Sequence, residues 1–218
     1  MKNILLIYGH ALSHSALREL LNEDPHLHLA DEVANAQDAL QLIKTQQYDM
    51  VILDVSAPEK NGLETFCDLK QMAPDLPILI INGSESTDRM VHFLRLGCAG
   101  YLPYSTDSAQ VLAAMKTIAR KQPYRLPEQQ AMMNGKRHLL HERLSLRELQ
   151  VFFKLIKGQP VNAIAIELAI APGSVSVFRS KILKKMDASN NAALIHYALA
   201  YQLTPPIGGA SKPMSLSS

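Results

Sequence analysis

Five predicted strands alternate with stretches of helical periodicity along the first half of the chain, and this alternation limits the possible folds. The runs ILLI at 4–7, MVIL at 50–53 and PILII at 77–81 are continuously apolar, as parallel strands buried on both faces are. Between the runs, apolar residues recur every three or four positions, as in a helix that buries one face. The pattern predicts a doubly wound, five-stranded parallel sheet with right-handed crossovers.

The distribution of charge predicts two domains. Residues 1–122 contain 10 Lys or Arg and 15 Asp or Glu, a net charge of −5, whereas the rest contains 12 and 5, a net charge of +7. A chain of 218 residues can bury one large core or two modest ones. An acidic first half and a basic second half suggest a regulatory domain joined to a domain that binds a polyanion.

Turn-forming residues suggest where the segments begin and end. Pro123, Pro127 and the pair Asn134-Gly135 punctuate a linker at 123–141, with one helical stretch near 128–133. We expect a first domain at 1–122, a small all-α domain at 142–203 and a disordered tail at 204–218, which is rich in Pro, Gly and Ser.

Several classes of protein are disfavoured by what the sequence contains. Cys67 and Cys98 follow no metal-ligand spacing and suggest a reducing compartment, with both thiols buried. His26 and His28 could share one face of a strand, but without a third ligand they do not suggest a metal site. With no apolar run long enough to cross a bilayer and no signal peptide, we expect a soluble, cytoplasmic protein.

The third predicted strand, MVIL at 50–53, is followed by a carboxylate at the edge of the sheet where ligands bind. The segment YDMVILDVSAPEKNGLE, residues 48–64, delivers Asp54 into a loop with the turn pair Asn61-Gly62. It resembles the phosphoacceptor segment of bacterial response regulator receivers, and the resemblance continues through LGCAGYL at 96–102. A receiver would have the flavodoxin-like, CheY-like form of the predicted sheet.

The basic half has the pattern of a helix-turn-helix. The segment LSLRELQVFFKLIKG at 144–158 begins with the capping-box pair Ser145 and Glu148 and ends in Gly158. Two more helices follow, at VNAIAIELAI and at APGSVSVFRSKILKKM, which has Pro172 in its first turn. A last helix is predicted at 191–201. This order resembles the LuxR-type DNA-binding domain, and the whole chain to about residue 203 resembles regulators of the NarL/FixJ type.

The predicted receiver departs from the pattern of its family around Asp54. The resemblance implies an acidic pair that holds Mg²⁺ after the first strand, a hydroxyl after the fourth and a lysine after the fifth. In this sequence those positions are occupied by Tyr8 and Gly9, by Asn82 and by Tyr104. Because phosphoryl transfer depends on positioning and on neutralising charge, Asp54 is expected to be a poor acceptor, with no metal or other cofactor bound.

The aromatic residues of this altered pocket allow two interpretations. Tyr8 and Tyr104 either fill the space of the metal and the ammonium group or line a pocket for a different ligand. Tyr101 lies where receivers commonly carry an aromatic ring that rotates, and with Asn82 in place of the hydroxyl we expect it to be a fixed interface residue.

The resemblance also implies that the third helix of the basic domain enters the major groove of DNA. The residues that we expect to face DNA are Ser174, Ser176, Val177, Arg179, Ser180, Lys181, Lys184 and Lys185. With few long basic side chains at the start of this helix, contacts to phosphates should supply most of the affinity.

The sequence therefore predicts a transcriptional regulator without enzymatic activity that binds double-stranded DNA as a homodimer and does not depend on phosphorylation. Helices four and five of the receiver are the preferred pairing surface, with helix one as the alternative. The alternative function is a protein-interaction adaptor whose receiver surface binds another regulator, with weak or no DNA binding. A small ligand is a further candidate partner.

Overall fold

The N-terminal domain is built on five parallel strands in the order β2-β1-β3-β4-β5. The computed structural model describes residues 1–9, 11–56, 61–83, 86–133, 139–201 and 203–204. The strands are β1 (Lys2–Ile7), β2 (Leu27–Val33), β3 (Met50–Asp54), β4 (Ile78–Asn82) and β5 (Gly100–Pro103). Every residue of β3 and β4 is buried, which explains why both strands are apolar up to their last residues, Asp54 and Asn82. The predicted doubly wound sheet is confirmed.

Helices cover both faces of this sheet. They are α1 (Ala11–Asn22), α2 (Ala36–Thr45), α3 (Gly62–Met72), α4 (Thr87–Arg95) and α5 (Ser108–Ala119). Leu21 of α1 and Met115 of α5 belong to one apolar core, whereas Ala39, Phe66 and Phe93 place α2, α3 and α4 on the other. Because β1 pairs with both β2 and β3, the winding reverses at β1, and a crevice forms where β1 and β3 end.

Polar side chains fix where several of these helices begin. Asn35, Asn61, Ser86 and Asp107 are N-caps whose side chains accept a hydrogen bond from a backbone N–H in the first turn. Ser13 is not such a cap, although a serine at this point of the sequence is typical of one, since α1 already begins at Ala11. Ser13 therefore lies inside the first turn, and its hydroxyl donates to the carboxylate of Asp54.

The C-terminal domain is entirely helical. It contains the 3₁₀ helix η1 (Leu140–Arg143) and the helices α7 (Leu146–Ile156), α8 (Val161–Glu167), α9 (Pro172–Lys185) and α10 (Asn191–Ala200). The capping box of Ser145 and Glu148 is formed as predicted. Gly158 follows α7 with φ of 74°, a conformation that favours glycine. Phe152, Ile164 and Ile182 anchor the core at full burial.

The segment between the domains packs against the first domain. It contains α6 (Pro127–Met133), which confirms the helix predicted near 128–133. The Arg125 guanidinium donates to the carbonyls of Ala99 and Cys98, and the Gln129 amide donates to the carbonyl of Tyr101. The predicted linker is thus fixed beside β5 over its first part. Asn134-Gly135 and the predicted tail beyond residue 204 lie outside the described residues, and the division into four segments stays a prediction.

Within the described part of the chain, no single helix is long and apolar enough to cross a membrane. The pair α8 and α9 meets that test of length and composition only together, and it is bent by 109° at its break.

Candidate functional site

Asp54 stands at the end of β3 with both carboxylate oxygens engaged by hydrogen-bond donors. Oδ2 accepts from the Ser13 hydroxyl at 2.6 Å, the Tyr104 hydroxyl at 2.7 Å and the Gly9 amide at 3.1 Å. Oδ1 accepts from the amide and the hydroxyl of Ser56. Asp54 is 4% exposed, and the hydrogen-bonding capacity of its carboxylate is largely used.

This environment keeps Asp54 ionised. Burial alone would raise the pKa of the carboxyl group, but the hydrogen bonds from Ser13, Ser56 and Tyr104 outweigh that effect and lower the pKa below its ordinary value of 3.8. The negative charge is stabilised by dipoles, and the donors are hydroxyls and amides.

The residues around Asp54 do not fit the magnesium site that the resemblance to receivers implies. Mg²⁺ requires oxygen ligands in near-octahedral geometry, and neither Tyr8 nor Gly9 offers a carboxylate. A Cβ atom added at Gly9 would lie 3.0 Å from Cγ and Oδ2 of Asp54 and 3.1 Å from Oγ of Ser56. A side chain at position 9 would therefore require the side chains of Asp54 and Ser56 to shift. Among the described residues, no group of three or more His, Cys, Asp or Glu could hold a metal ion.

The other predicted pocket residues divide into two groups. Tyr8 stacks on the ring of His14, with centroids 4.4 Å apart, and His14 lies 2.7 Å from a carboxylate oxygen of Glu32. Asn82 donates from its amide nitrogen to the Tyr101 hydroxyl, and both residues are buried.

Tyr101 is not the surface interface residue that the sequence suggested. The residue is 2% exposed, and its ring packs against Phe93 of α4 with centroids 6.0 Å apart. Because the ring has a hydrogen-bond partner and apolar neighbours inside the domain, it is fixed in the core and unavailable to a partner at the surface.

Sequence reasoning missed the hydroxyls of Ser13 and Ser56. A signal existed for both residues, since Ser56 follows Asp54 by two positions and Ser13 lies in the first turn after β1, at the same edge of the sheet. What the sequence could not give is the rotation of α1 that turns Ser13 toward Asp54.

An open cleft of about 760 Å³ separates the Asp54 edge from the C-terminal domain. Its lining includes Tyr8, Asp54, Lys44, Glu64 and Arg147. The cleft is lined by both acidic and basic side chains. Because Tyr8 is part of its lining, the interpretation that Tyr8 lines a pocket for a ligand remains a prediction.

The outward face of α9 contains most of the residues predicted to face DNA. Ser176, Val177, Ser180, Lys181 and Lys184 lie on this face, with Val177 53% exposed. The Ser176 hydroxyl donates to the Pro172 carbonyl and the Ser180 hydroxyl to the Ser176 carbonyl. These serines therefore present short side chains that stay close to the helix, while Ser174 is half-buried.

Two of the predicted cations are engaged within their own domain. Arg179 donates from Nε to the side chain of Asn191 at 2.9 Å. Lys185 pairs with Glu148 of the capping box at 2.6 Å, and its side chain is 41% exposed. Among the described residues, no ion pair is formed by Lys181 or Lys184, so these two are the cations most available to phosphates.

A second set of residues that the sequence did not reveal joins the two domains. Glu64 of α3 pairs with Lys154 at 3.0 Å and with Lys157 at 2.6 Å, and both Glu64 and Lys154 are buried. Beside them, the Gln150 amide donates to Asp68 at 2.6 Å. Cys67, predicted to be buried, packs into the apolar core of the C-terminal domain. Helix α3 is therefore the element of the N-terminal domain that docks on α7.

Comparison with known proteins assigns both domains. Residues 4–116 match the response regulator receiver domain, and residues 142–198 match the bacterial regulatory proteins of the luxR family. The response regulator UvrY of Escherichia coli K12 is 26% identical over 209 residues, which cover 93% of this chain and 96% of UvrY. The transcriptional regulatory protein UhpA of Salmonella typhimurium is 29% identical over 196 residues, covering 90% and 97%.

Solved structures of similar fold include two of RcsB. The RcsB response regulator of Salmonella typhimurium aligns with a TM-score of 0.56 at 16% identity, over 92% of this chain and 100% of RcsB. A structure of RcsB in complex with DNA aligns with a TM-score of 0.56 at 17% identity, over 91% and 98%. At this level of identity the alignments support the fold alone.

A receiver sheet with an aspartate at its carboxyl edge, followed by a helical domain with a helix-turn-helix, defines a two-domain response regulator. The chain belongs to the response regulators of the NarL/FixJ type, with a LuxR-type C-terminal domain, as the sequence predicted.

Proposed function

We propose that this protein is a DNA-binding transcriptional regulator whose receiver works without phosphorylation of Asp54. The observation that carries the proposal is the hydrogen-bond network in which both oxygens of that carboxylate already accept from protein donors. Oδ2, which accepts from Ser13, Tyr104 and Gly9, would have to lose these donors before it could attack a phosphorus atom.

The same network lacks the charges that phosphoryl transfer uses. The transferred group carries negative charge on its oxygens, and catalysis depends on cations that neutralise it. Tyr8, Gly9 and Tyr104 supply no carboxylate for a metal and no ammonium group. An acylphosphate on Asp54 would therefore lack counter-charges and would collide with the hydroxyls of Ser13, Ser56 and Tyr104.

DNA binding is supported by the C-terminal domain. In helix-turn-helix proteins the second helix of the motif lies in the major groove, and here that helix is α9. Its outward face carries Lys181 and Lys184, and the segment from residue 123 onward has a net charge of +7. The RcsB–DNA complex has the same fold. A regulator of this kind acts on DNA in the cytoplasm, has no catalytic role and pairs into a homodimer to bind two half-sites.

The test of phosphorylation uses intact-mass spectrometry after treatment with a small phosphodonor and Mg²⁺. We expect no stable phospho-protein, and we expect Asp54→Asn to leave the affinity for DNA nearly unchanged. A stoichiometric gain of one phosphoryl group in the wild type that is absent from Asp54→Asn would refute phosphorylation independence.

A protein-interaction adaptor is the second candidate function. It is favoured by two exposed apolar side chains on the helix-turn-helix, Ile166 at 82% and Val177 at 53% exposure, which a protein partner could cover. Retention of genomic DNA fragments by the purified protein separates the two candidates. If no fragment is retained at low salt, the adaptor replaces the DNA-binding regulator.

A further inference from the structure

Two buried histidines face each other where the receiver meets the C-terminal domain. His92 of α4 is 3% exposed and His141 of η1 is 4% exposed. Their ring centroids are 4.8 Å apart, and the rings meet edge to face. Each imidazole therefore forms part of the surface that the other domain buries.

Polar groups from three elements face this pair. His141 Nδ1 lies 2.9 Å from the Tyr197 hydroxyl of α10, and the ring of Tyr201 packs beside it with a centroid distance of 6.3 Å. His92 Nε2 has no hydrogen-bond partner in the described part of the chain. The remaining charged groups are Asp88 and Arg95 of α4 and Glu142 of η1.

The surroundings of His92 and His141 stabilise the neutral imidazoles relative to the charged ones. The Glu142 carboxylate is already paired with Arg95 at 2.7 Å. Burial, together with His141 and Arg95 nearby, lowers the pKa of His92 from an ordinary 6.5 to about 3. Burial also lowers the pKa of His141 to about 4, although Asp88 acts in the opposite direction. Both rings are uncharged while the junction is closed.

We propose that this histidine pair is an acid-sensitive latch, which holds α4 against η1 at neutral pH and releases it when the imidazoles take up protons from solvent. The latch needs no chemistry at Asp54. It would give a regulator that is not phosphorylated a signal to respond to, although its operation does not depend on whether the protein binds DNA.

The direction and size of the effect of pH on opening follow from the linkage between proton binding and the opening of the α4–η1 contact. An imidazole exposed by opening titrates near its ordinary pKa of 6.5, so the latch is fully stable above that pH and weakens as the pH falls below it. Between about pH 7.5 and about pH 5.5, each histidine should raise the opening constant about tenfold, and the two together about 100-fold.

A carboxylate at the other domain contact works against the latch. Burial raises the pKa of Asp68 on α3, so acid favours docking there. The Asp68→Asn background removes this opposing contribution and should leave the response of the latch intact or make it larger.

Hydrogen exchange of η1 measures the opening directly. The amides of Glu142 and Leu144 donate to the carbonyls of Leu139 and His141. In the full-length protein their protection factors should fall about tenfold to 100-fold from about pH 7.5 to about pH 5.5, while those of β3 stay constant. His92→Gln combined with His141→Gln should abolish the fall, whereas His196→Gln, on the exposed side of α10, should keep it.

Protection of η1 that is independent of pH in the wild type would overturn the proposal, as would an unchanged fall in the double variant. Equal loss of protection in η1 and β3 would indicate acid unfolding and would also overturn it. If the double variant does not fold, His92→Gln alone should remove about half of the fall in the logarithm of the η1 protection factors.

Discussion

Asp54 is stabilised as an anion by neutral donors, and this distinguishes its chemistry from that of a carboxylate beside a metal ion. A hydrogen bond to a charged group contributes roughly 1.5–3 kcal/mol, so the hydroxyls of Ser13, Ser56 and Tyr104 can offset much of the cost of burying the charge. The glycine at position 9 belongs to the same arrangement, because a side chain there would press on the carboxylate. The small, uncharged residue after β1 thus leaves space for the hydrogen bonds that surround the Asp54 carboxylate.

Replacing Tyr104 with Phe removes one donor from Asp54 without changing the ring. We expect a loss of about 1 kcal/mol in the free energy of unfolding at neutral pH, since Tyr104 is partly exposed. The loss should shrink as the pH falls below the ordinary carboxyl pKa of 3.8, because the protonated Asp54 no longer benefits from the bond. Urea denaturation at several pH values measures both effects.

The matched control is Tyr201→Phe. Tyr201 is 48% exposed, compared with 44% for Tyr104, and its hydroxyl has no hydrogen bond in the described ranges. A loss of stability in Tyr201→Phe equal to that in Tyr104→Phe would mean that the bond to Asp54 contributes nothing measurable.

At the scale of the elements, α9 contains two lysines that look equivalent in the sequence but have different surroundings in the structure. Lys184 and Lys185 are adjacent, but Lys185 neutralises Glu148 at the start of α7, whereas Lys184 forms no ion pair among the described residues. One lysine therefore supports the fold and the other is available to DNA. Adjacent residues of a helix point about 100° apart and so meet different partners, which separates their roles.

Salt titrations of DNA binding should separate these two lysines. Lys184→Ala is expected to weaken binding to specific and random duplexes alike and to lower the salt slope by about 1 for each phosphate that a subunit no longer neutralises. Lys185→Ala should change the slope less and reduce stability, because it leaves Glu148 buried without its ammonium partner. An unchanged slope in Lys184→Ala on both duplexes would show that this lysine does not bind phosphate.

At the scale of the whole molecule, the contacts between the domains include α3 against α7 and, as a second contact, α4 against η1. The second contact covers part of the surface that the sequence suggested for pairing, since His92 of α4 packs on the ring of His141 and Arg95 pairs with Glu142. A pair that used α4 and α5 would have to form beside the docked linker helix α6. Helix α1, whose Arg18 and Glu19 are exposed, has no such obstruction among the described residues.

The protein is expected to dimerise without any phosphodonor, because its receiver has no phosphate-dependent trigger. Light scattering across micromolar concentrations should give twice the chain mass. Ala113→Glu on the exposed side of α5 should disrupt a dimer formed through α4 and α5, and Glu19→Lys one formed through α1. A strict monomer both free and on DNA would refute the expectation.

Much of the architecture was determined by the sequence itself. Continuous apolar runs that alternate with helical segments are typical of strands buried on both faces in the middle of a parallel sheet, and β3 and β4 are such strands. Local chemistry likewise fixed the capping box of Ser145 and Glu148, because its partners are three residues apart. Asp54, Gly9 and Tyr104 could be expected to meet, since the ends of parallel strands share one edge.

Contacts between residues distant in the chain were decided only by the tertiary structure. The pairing of Glu64 with Lys154, the packing of His92 on His141 and the hydrogen bond of Ser13 to Asp54 each depend on how a helix is rotated and where a domain is placed. Periodicity gives the buried face of a helix but not the residue that will cover it, because that choice depends on the packing of whole elements.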